Sequence, residues 1–146
     1  MDKAQKAKNL FLSGMNCAQA VFCAFADDLG IDMKTAQLLS SSFGGGMGRM
    51  REVCGAVSGA LMVLGVMHGY TDQSPPLAKA EHYRRVQQFA KYFKEENGSI
   101  ICRELLGLDK GSSPEPEKRT EQYYKKRPCK ELVYCAAKII EEHFIN

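Results

Sequence analysis

The chain has 146 residues, 45% of them apolar and 25% charged, which suits one soluble domain with enough length to bury a substantial core. Its net charge of +3 is too small and too dispersed to act as a nucleic-acid footprint, and the local cluster Lys125, Lys126, Arg127 and Lys130 beside Tyr123 and Tyr124 does not change that. Six cysteines in a chain read as cytoplasmic point to redox work or metal binding, because a reducing cytosol disfavours structural disulfides.

Residues 3–12 suit a first helix with Ala4, Ala7, Leu10 and Phe11 on one face. Ser13-Gly14-Met15-Asn16 breaks it, and Asn16 is placed to cap a second helix over about 17–28 that turns Ala20, Val21, Ala24 and Phe25 inward. The basic start and the Ala24-Phe25-Ala26 end imitate a secretory leader. Ser13, Gly14, Asn16 and Gln19 interrupt the apolar run that a leader requires, so two native helices are expected.

Asp32 is placed to cap a third helix whose apolar side is Ala36, Leu38, Leu39 and Phe43. The loop Gly44-Gly45-Gly46-Met47-Gly48 follows. It lacks the Gly-Lys-Ser/Thr ending of a phosphate-binding loop and no strand pattern precedes it, so close packing rather than nucleotide binding is expected.

Val53 to Met67 contains no charged residue. A helix apolar all round is one enclosed by others, so a Gly-rich apolar helix over about residues 50–68 is expected at the centre of the fold. The run is too short, and too often interrupted by Gly55, Ser58, Gly59 and Gly65, for the roughly 18 to 20 apolar residues of a membrane span. Gly55 and Gly59 share a helix face, and each costs about 1 kcal/mol relative to alanine, a cost tolerated where another backbone comes close. Cys54 shares the neighbouring stripe with Ser58, Leu61 and Gly65.

A long helix over about 77–96 has Leu77, Ala80, Tyr83, Val86, Ala90 and Phe93 at three- and four-residue spacing, and Asn97-Gly98 stops it. Ser99 is the expected cap of a short helix, Ile100 to Leu106. A charged surface loop at about 108–127 precedes a last helix opened by Pro128, with Leu132, Val133, Ala136, Ile139 and Ile140 as its apolar stripe. No strand pattern occurs. The expected architecture is all-α, one helical domain over 1–146 built as a bundle of about six or seven helices.

Laid over these boundaries, Cys17, Cys54, Cys102 and Cys129 each fall within about one turn of a helix start, where free amides and the helix dipole favour a thiolate. Arg49 and Arg51 precede Cys54, Arg103 follows Cys102, and Lys126, Arg127 and Lys130 surround Cys129. Cys54 and Cys129 are therefore expected to have the lowest pKa values. Cys23 and Cys135 each lie six residues after one of the four, about 120° round the helix, and are assigned to packing. His68, His82 and His143 occupy helix-end or solvated positions and are given no catalytic role.

The chain resembles the C-GCAxxG-C-C family of redox-active proteins. Asn16-Cys17-Ala18-Gln19, Cys54-Gly55-Ala56-Val57-Ser58-Gly59, Gly98-Ser99-Ile100-Ile101-Cys102-Arg103-Glu104-Leu105 and Pro128-Cys129 with Leu132-Val133 carry the likeness, which spans nearly the whole chain. The second motif reads Cys-Gly-Ala where the family label reads Gly-Cys-Ala. The resemblance implies redox activity centred on the cysteines and brings no settled substrate.

The leading expectation is thiol–disulfide exchange, the work of a thiol–disulfide oxidoreductase without a cofactor, using Cys17, Cys54, Cys102 and Cys129 toward a thiol or disulfide partner. Four thiols allow three pairings, and the sequence chooses none. The alternatives are a zinc or iron–sulfur site on the same four cysteines and a non-catalytic helical interaction protein. Neither nucleic acid nor a membrane span is expected, and apolar helix seams leave room for a homo-oligomer.

Overall fold

The chain folds as an all-α bundle in a computed structural model that describes residues 2–108 and 111–145, with the backbone alone for Lys126. Eight α-helices lie among the described residues: α1 (Lys3–Leu12), α2 (Cys17–Ala26), α3 (Met33–Ser40), α4 (Gly55–His68), α5 (Ala78–Asn97), α6 (Cys102–Leu106), α7 (Glu121–Lys126) and α8 (Cys129–His143). A single 3-10 turn, Ser41–Phe43, extends α3. None of these helices is long and apolar enough to cross a membrane.

The N-terminal caps fall where the sequence puts them. Asp2, Asn16 and Asp32 each accept the amide three residues on, and Asn16 and Gln19 form a reciprocal capping box. Gly98, at φ 90°, closes α5 in the left-handed conformation that glycine adopts without steric cost.

Burial decides the layering. In α2, Ala18 and every residue from Ala20 to Ala26 are buried, because α1, α3, α4 and α8 all pack on this one helix. Helix α4 starts at Gly55, later than its apolar run suggests, and packs on α2, α5 and α8 while leaving Gly65 and Val66 exposed. The helix most fully enclosed is therefore α2, and α4 lies against it. Gly55 and Gly59 make that contact possible: a Cβ on Gly59 would sit 2.6 Å from the Ala18 carbonyl oxygen, and one on Gly55 would sit 3.1 Å from Cys17 Cβ.

Two apolar stripes differ from the expectation. Leu38 and Leu39 are 64% and 53% exposed, and α3 turns only Ala36 and Ser40 fully inward, since it meets the bundle mainly along α2. On α5 the buried residues are His82, Phe89 and Phe93, while Leu77 is 70% exposed. The core-facing stripe is thus rotated from the one that Leu77 and Tyr83 would define. Ser99 lies outside α6: its hydroxyl accepts the Ile101 amide and donates to Glu104, and the helix begins at Cys102.

The segment expected as a charged surface loop is exposed at most positions from 111 to 120 but contains α7 and is tied back to the bundle. Arg119 donates to the carbonyls of Phe11 and Met15 and lies 4.3 Å above the Phe11 ring. Arg49 donates to the carbonyls of Ser113 and Glu115, and Arg51 to the Ser112 hydroxyl at 2.9 Å.

Candidate functional site

Helix starts from four parts of the chain meet at one end of the bundle. Cys17, Cys102 and Cys129 are the first residues of α2, α6 and α8, and Cys54 is the N-cap of α4. All four line a single cavity of about 370 Å³, with Phe11, Leu132 and Tyr123 among its apolar walls and Arg49, Arg51 and Arg119 among its cationic ones. All six cysteines are free thiols.

The cavity floor rests on a backbone feature absent from the sequence reading. Gly45, Gly46, Met47, Gly48 and Arg49 run consecutively at positive φ, and Arg51 follows at φ 61°. Amide hydrogen bonds reach back five or six residues, from Gly48 to Ser42, Arg49 to Gly44, Arg51 to Gly45 and Glu52 to Gly46. This is a left-handed coil, which costs roughly 1–2 kcal/mol at each of the non-glycine positions Met47, Arg49 and Arg51. The coil sends both arginines to the cavity, and Gly46 lies so close to Cys102 that an added Cβ would fall 2.7 Å from the cysteine's own.

Beyond the coil the chain pairs briefly with the start of α6. Val53 and Ile101 form an isolated antiparallel bridge, with Cys54 N–H donating to the Ile100 carbonyl at 2.8 Å and Cys102 N–H to that of Glu52 at 2.6 Å. Strand alternation then puts Cys54 and Cys102 on the same face, opposite Val53 and Ile101, as diagonal neighbours.

The other two thiols act on each other. A hydrogen-bonding interaction between them favours the proton on Cys17 and the negative charge on Cys129. Cys129 is held below the ordinary thiol range, first by that bond and then, against its burial, by Arg127, Arg51 and Arg119. The same bond pushes Cys17 well up, because ionising it would break the bond, and burial and the other cysteines add to the shift.

The remaining pair behaves differently. Burial pushes Cys54 up to about 12, although the amides of Ala56 and Val57 at the start of α4 oppose it. Its expectation of a low pKa is thus overturned: Arg51 turns to Cys102, with Nη1 3.6 Å from that sulfur, and Arg49 turns to the 113–117 segment. Cys102 is raised by burial despite Arg51. Cys129 is lowered as expected, first by Cys17 and then by Arg127, and the Lys126 side chain lies outside the described residues.

Cys23 and Cys135 stand apart. Cys23 is wholly buried in α2, while Cys135 donates to Glu96 at 3.0 Å and is pushed up to about 11 by burial and by that bond. Among the described residues no three His, Cys, Asp or Glu side chains are grouped as a metal ion would require. The four thiols surround an open space, and a metal cage on them would need the sulfurs to close in.

A family model described as "Putative redox-active protein (C_GCAxxG_C_C)" matches residues 15–143. The chain belongs to this C_GCAxxG_C_C family. No curated protein and no solved structure matched the sequence. The family match takes in α2 through the last turn of α8, and so all four cysteines around the cavity.

The sequence did not reveal Arg119 or Tyr123 as members of the site. Tyr123 lines the cavity and is pushed up to about 12, mainly by burial and then by the negative charge of Cys129. Their segment reads as polar and Pro-containing, and its docking depends on contacts more than 100 positions away, such as Arg119 to Phe11.

Proposed function

We propose that this C_GCAxxG_C_C protein carries out thiol–disulfide exchange, with Cys129 as the attacking thiolate and Cys17 as the resolving thiol. The observation that carries the reading is that Cys17 and Cys129 begin two helices at the wall of one arginine-lined cavity, where Cys17, Arg127, Arg51 and Arg119 lower the Cys129 pKa. A thiolate is the reactive form, and this arrangement favours ionisation of one sulfur beside a second that holds its proton.

In the forward direction Cys129 attacks one sulfur of a partner disulfide, forming a mixed disulfide and releasing the partner's other sulfur as a thiolate. Cys17 then passes its proton to that released thiolate and attacks the Cys129 sulfur. The second partner sulfur departs, two electrons have moved to the partner, and the chain holds a Cys17–Cys129 disulfide. The reverse sequence oxidises a partner dithiol. Cys54 and Cys102 line the same cavity with their protons retained and supply a second dithiol within the site.

A zinc or iron–sulfur site on Cys17, Cys54, Cys102 and Cys129 is the second reading, favoured by the convergence of the four sulfurs on one cavity. Alkylation of the native, anaerobically purified chain over a pH series, read cysteine by cysteine by mass spectrometry alongside elemental analysis, separates the two. Exchange chemistry expects Cys129 to react first, with a midpoint below that of an unstructured cysteine peptide, in protein free of stoichiometric metal. Thiols that react only after chelation would replace this reading with the metal one.

A further inference from the structure

We propose that the disulfide exchanged at this cavity is a small anionic molecule rather than a disulfide carried by a folded protein; this rests on the exchange reading above and assigns its substrate class. Enclosure is the first argument. Cys54, Cys102 and Cys129 are 4%, 7% and 8% exposed, and the 112–119 segment is pinned over them by Arg49, Arg51 and Arg119. Exchange needs three sulfurs in contact, so the incoming disulfide must enter the cavity itself. A space of about 370 Å³ lies in the range of small-molecule sites and excludes the bulk that flanks a protein disulfide.

Charge is the second argument, and it stands independently. Arg49, Arg51 and Arg119 line the cavity, whereas Glu117 is its one lining carboxylate among the described residues and is already paired with Arg49 and Arg127. The first-turn amides of α2, α4 and α8 add partial positive charge from the same end. The excess is therefore positive even with the Cys129 thiolate counted, on walls where Arg51 is buried and Arg49 and Arg119 are half-buried. The walls formed by Phe11, Leu105, Leu106 and Leu132 accept an apolar body between the sulfur and the anionic group.

The exchange follows the steps given above. The disulfide takes two electrons from the Cys17–Cys129 pair and leaves as two thiols, its anionic groups unchanged.

The test compares two small aromatic disulfides on the reduced wild-type chain: dianionic dithiobis(nitrobenzoate) and neutral dithiodipyridine. Rate constants at Cys129 are each divided by that of an unstructured cysteine peptide, which removes intrinsic reactivity. The expected result is a normalised preference for the dianion of about tenfold at low salt. It should fall toward unity as salt is raised and fall in Arg51→Gln, while the disulfides of insulin stay closed. The salt series needs no variant, so a misfolded Arg51→Gln chain leaves the test intact. A normalised preference at or below unity, or insulin reduced as fast as dithiodipyridine, would overturn the substrate class while exchange at Cys129 stands. If neither reagent modifies Cys129 in the folded chain, the exchange reading falls and this inference with it.

Discussion

The α2/α8 side of the cavity and the α4/α6 side hold the same kind of groups, yet only the first contains a thiol shifted downward: Cys129 falls while Cys17, Cys54 and Cys102 rise. Each side offers two cysteines at helix starts, so proximity to a helix N-terminus cannot be what distinguishes them. On the first side Cys17 and then Arg127, Arg51 and Arg119 favour the ionised form of Cys129. On the second the amides of Ala56 and Val57 face Cys54 but lose to burial. The amides at a helix start are thus too weak here to ionise a buried thiol without a neighbouring thiol and arginines.

The largest effect expected from this contrast is on stability in alkali. Cys54 has a raised pKa, so its neutral form is favoured in the fold; its contribution is complete below the ordinary value of 9.0 and is lost as pH rises toward about 12. The loss is about 1.4 kcal/mol per pH unit, or about 4 kcal/mol over the window. Urea midpoints measured across this range should decline less steeply in Cys54→Ser. Cys129 carries the opposite sign. Its lowered pKa contributes stability above the ordinary value that disappears as pH falls through the folded one, so Cys129→Ser should alter the arm just below pH 9.0 instead.

Next in size is reactivity. Cys17, Cys23, Cys54, Cys102 and Cys135 are all shifted upward, and only Cys129 among the six is shifted down. Cys129→Ser is expected to slow native-state alkylation at neutral pH by about a hundredfold, whereas Cys102→Ser leaves the fast phase in place. Stopped-flow thiol titration reads both.

The two sides meet where α4 crosses α2, and Gly59 sets that spacing. Gly59→Ala places a methyl against the Ala18 carbonyl and is expected to destabilise the chain by about 2 kcal/mol after its gain in helix propensity. Chemical denaturation measures this directly. The smallest effect is expected from Arg127→Gln, which removes one of three cations acting on Cys129 and raises its alkylation midpoint by about one pH unit or less.

Much of the fold was legible because its signals are local. Asn16, Asp32 and Gly98 act within a turn of themselves, and the spacing of Gly55 and Gly59 anticipated a close backbone even without naming α2. The positions of four cysteines at four helix starts were legible for the same reason. What was hidden depends on distant or unusual geometry. Arg51 closely precedes Cys54 in sequence but bonds Cys102, because the left-handed coil at 45–51 sets where its side chain goes. Cys17 has no charged neighbour in sequence, and its role emerges only because it shares a cavity with a residue 112 positions later. Leu38, Leu39 and Leu77 misled because apolar periodicity shows that a helix has a face and not that something covers it.

The central claim concerns which two sulfurs exchange electrons, and mild oxidation of the reduced chain followed by disulfide mapping tests it most directly. A first-formed Cys17–Cys129 bond, with Cys54 and Cys102 still free, is the expected result. A first bond between Cys54 and Cys102, or a chain that forms no disulfide while remaining folded, would contradict it.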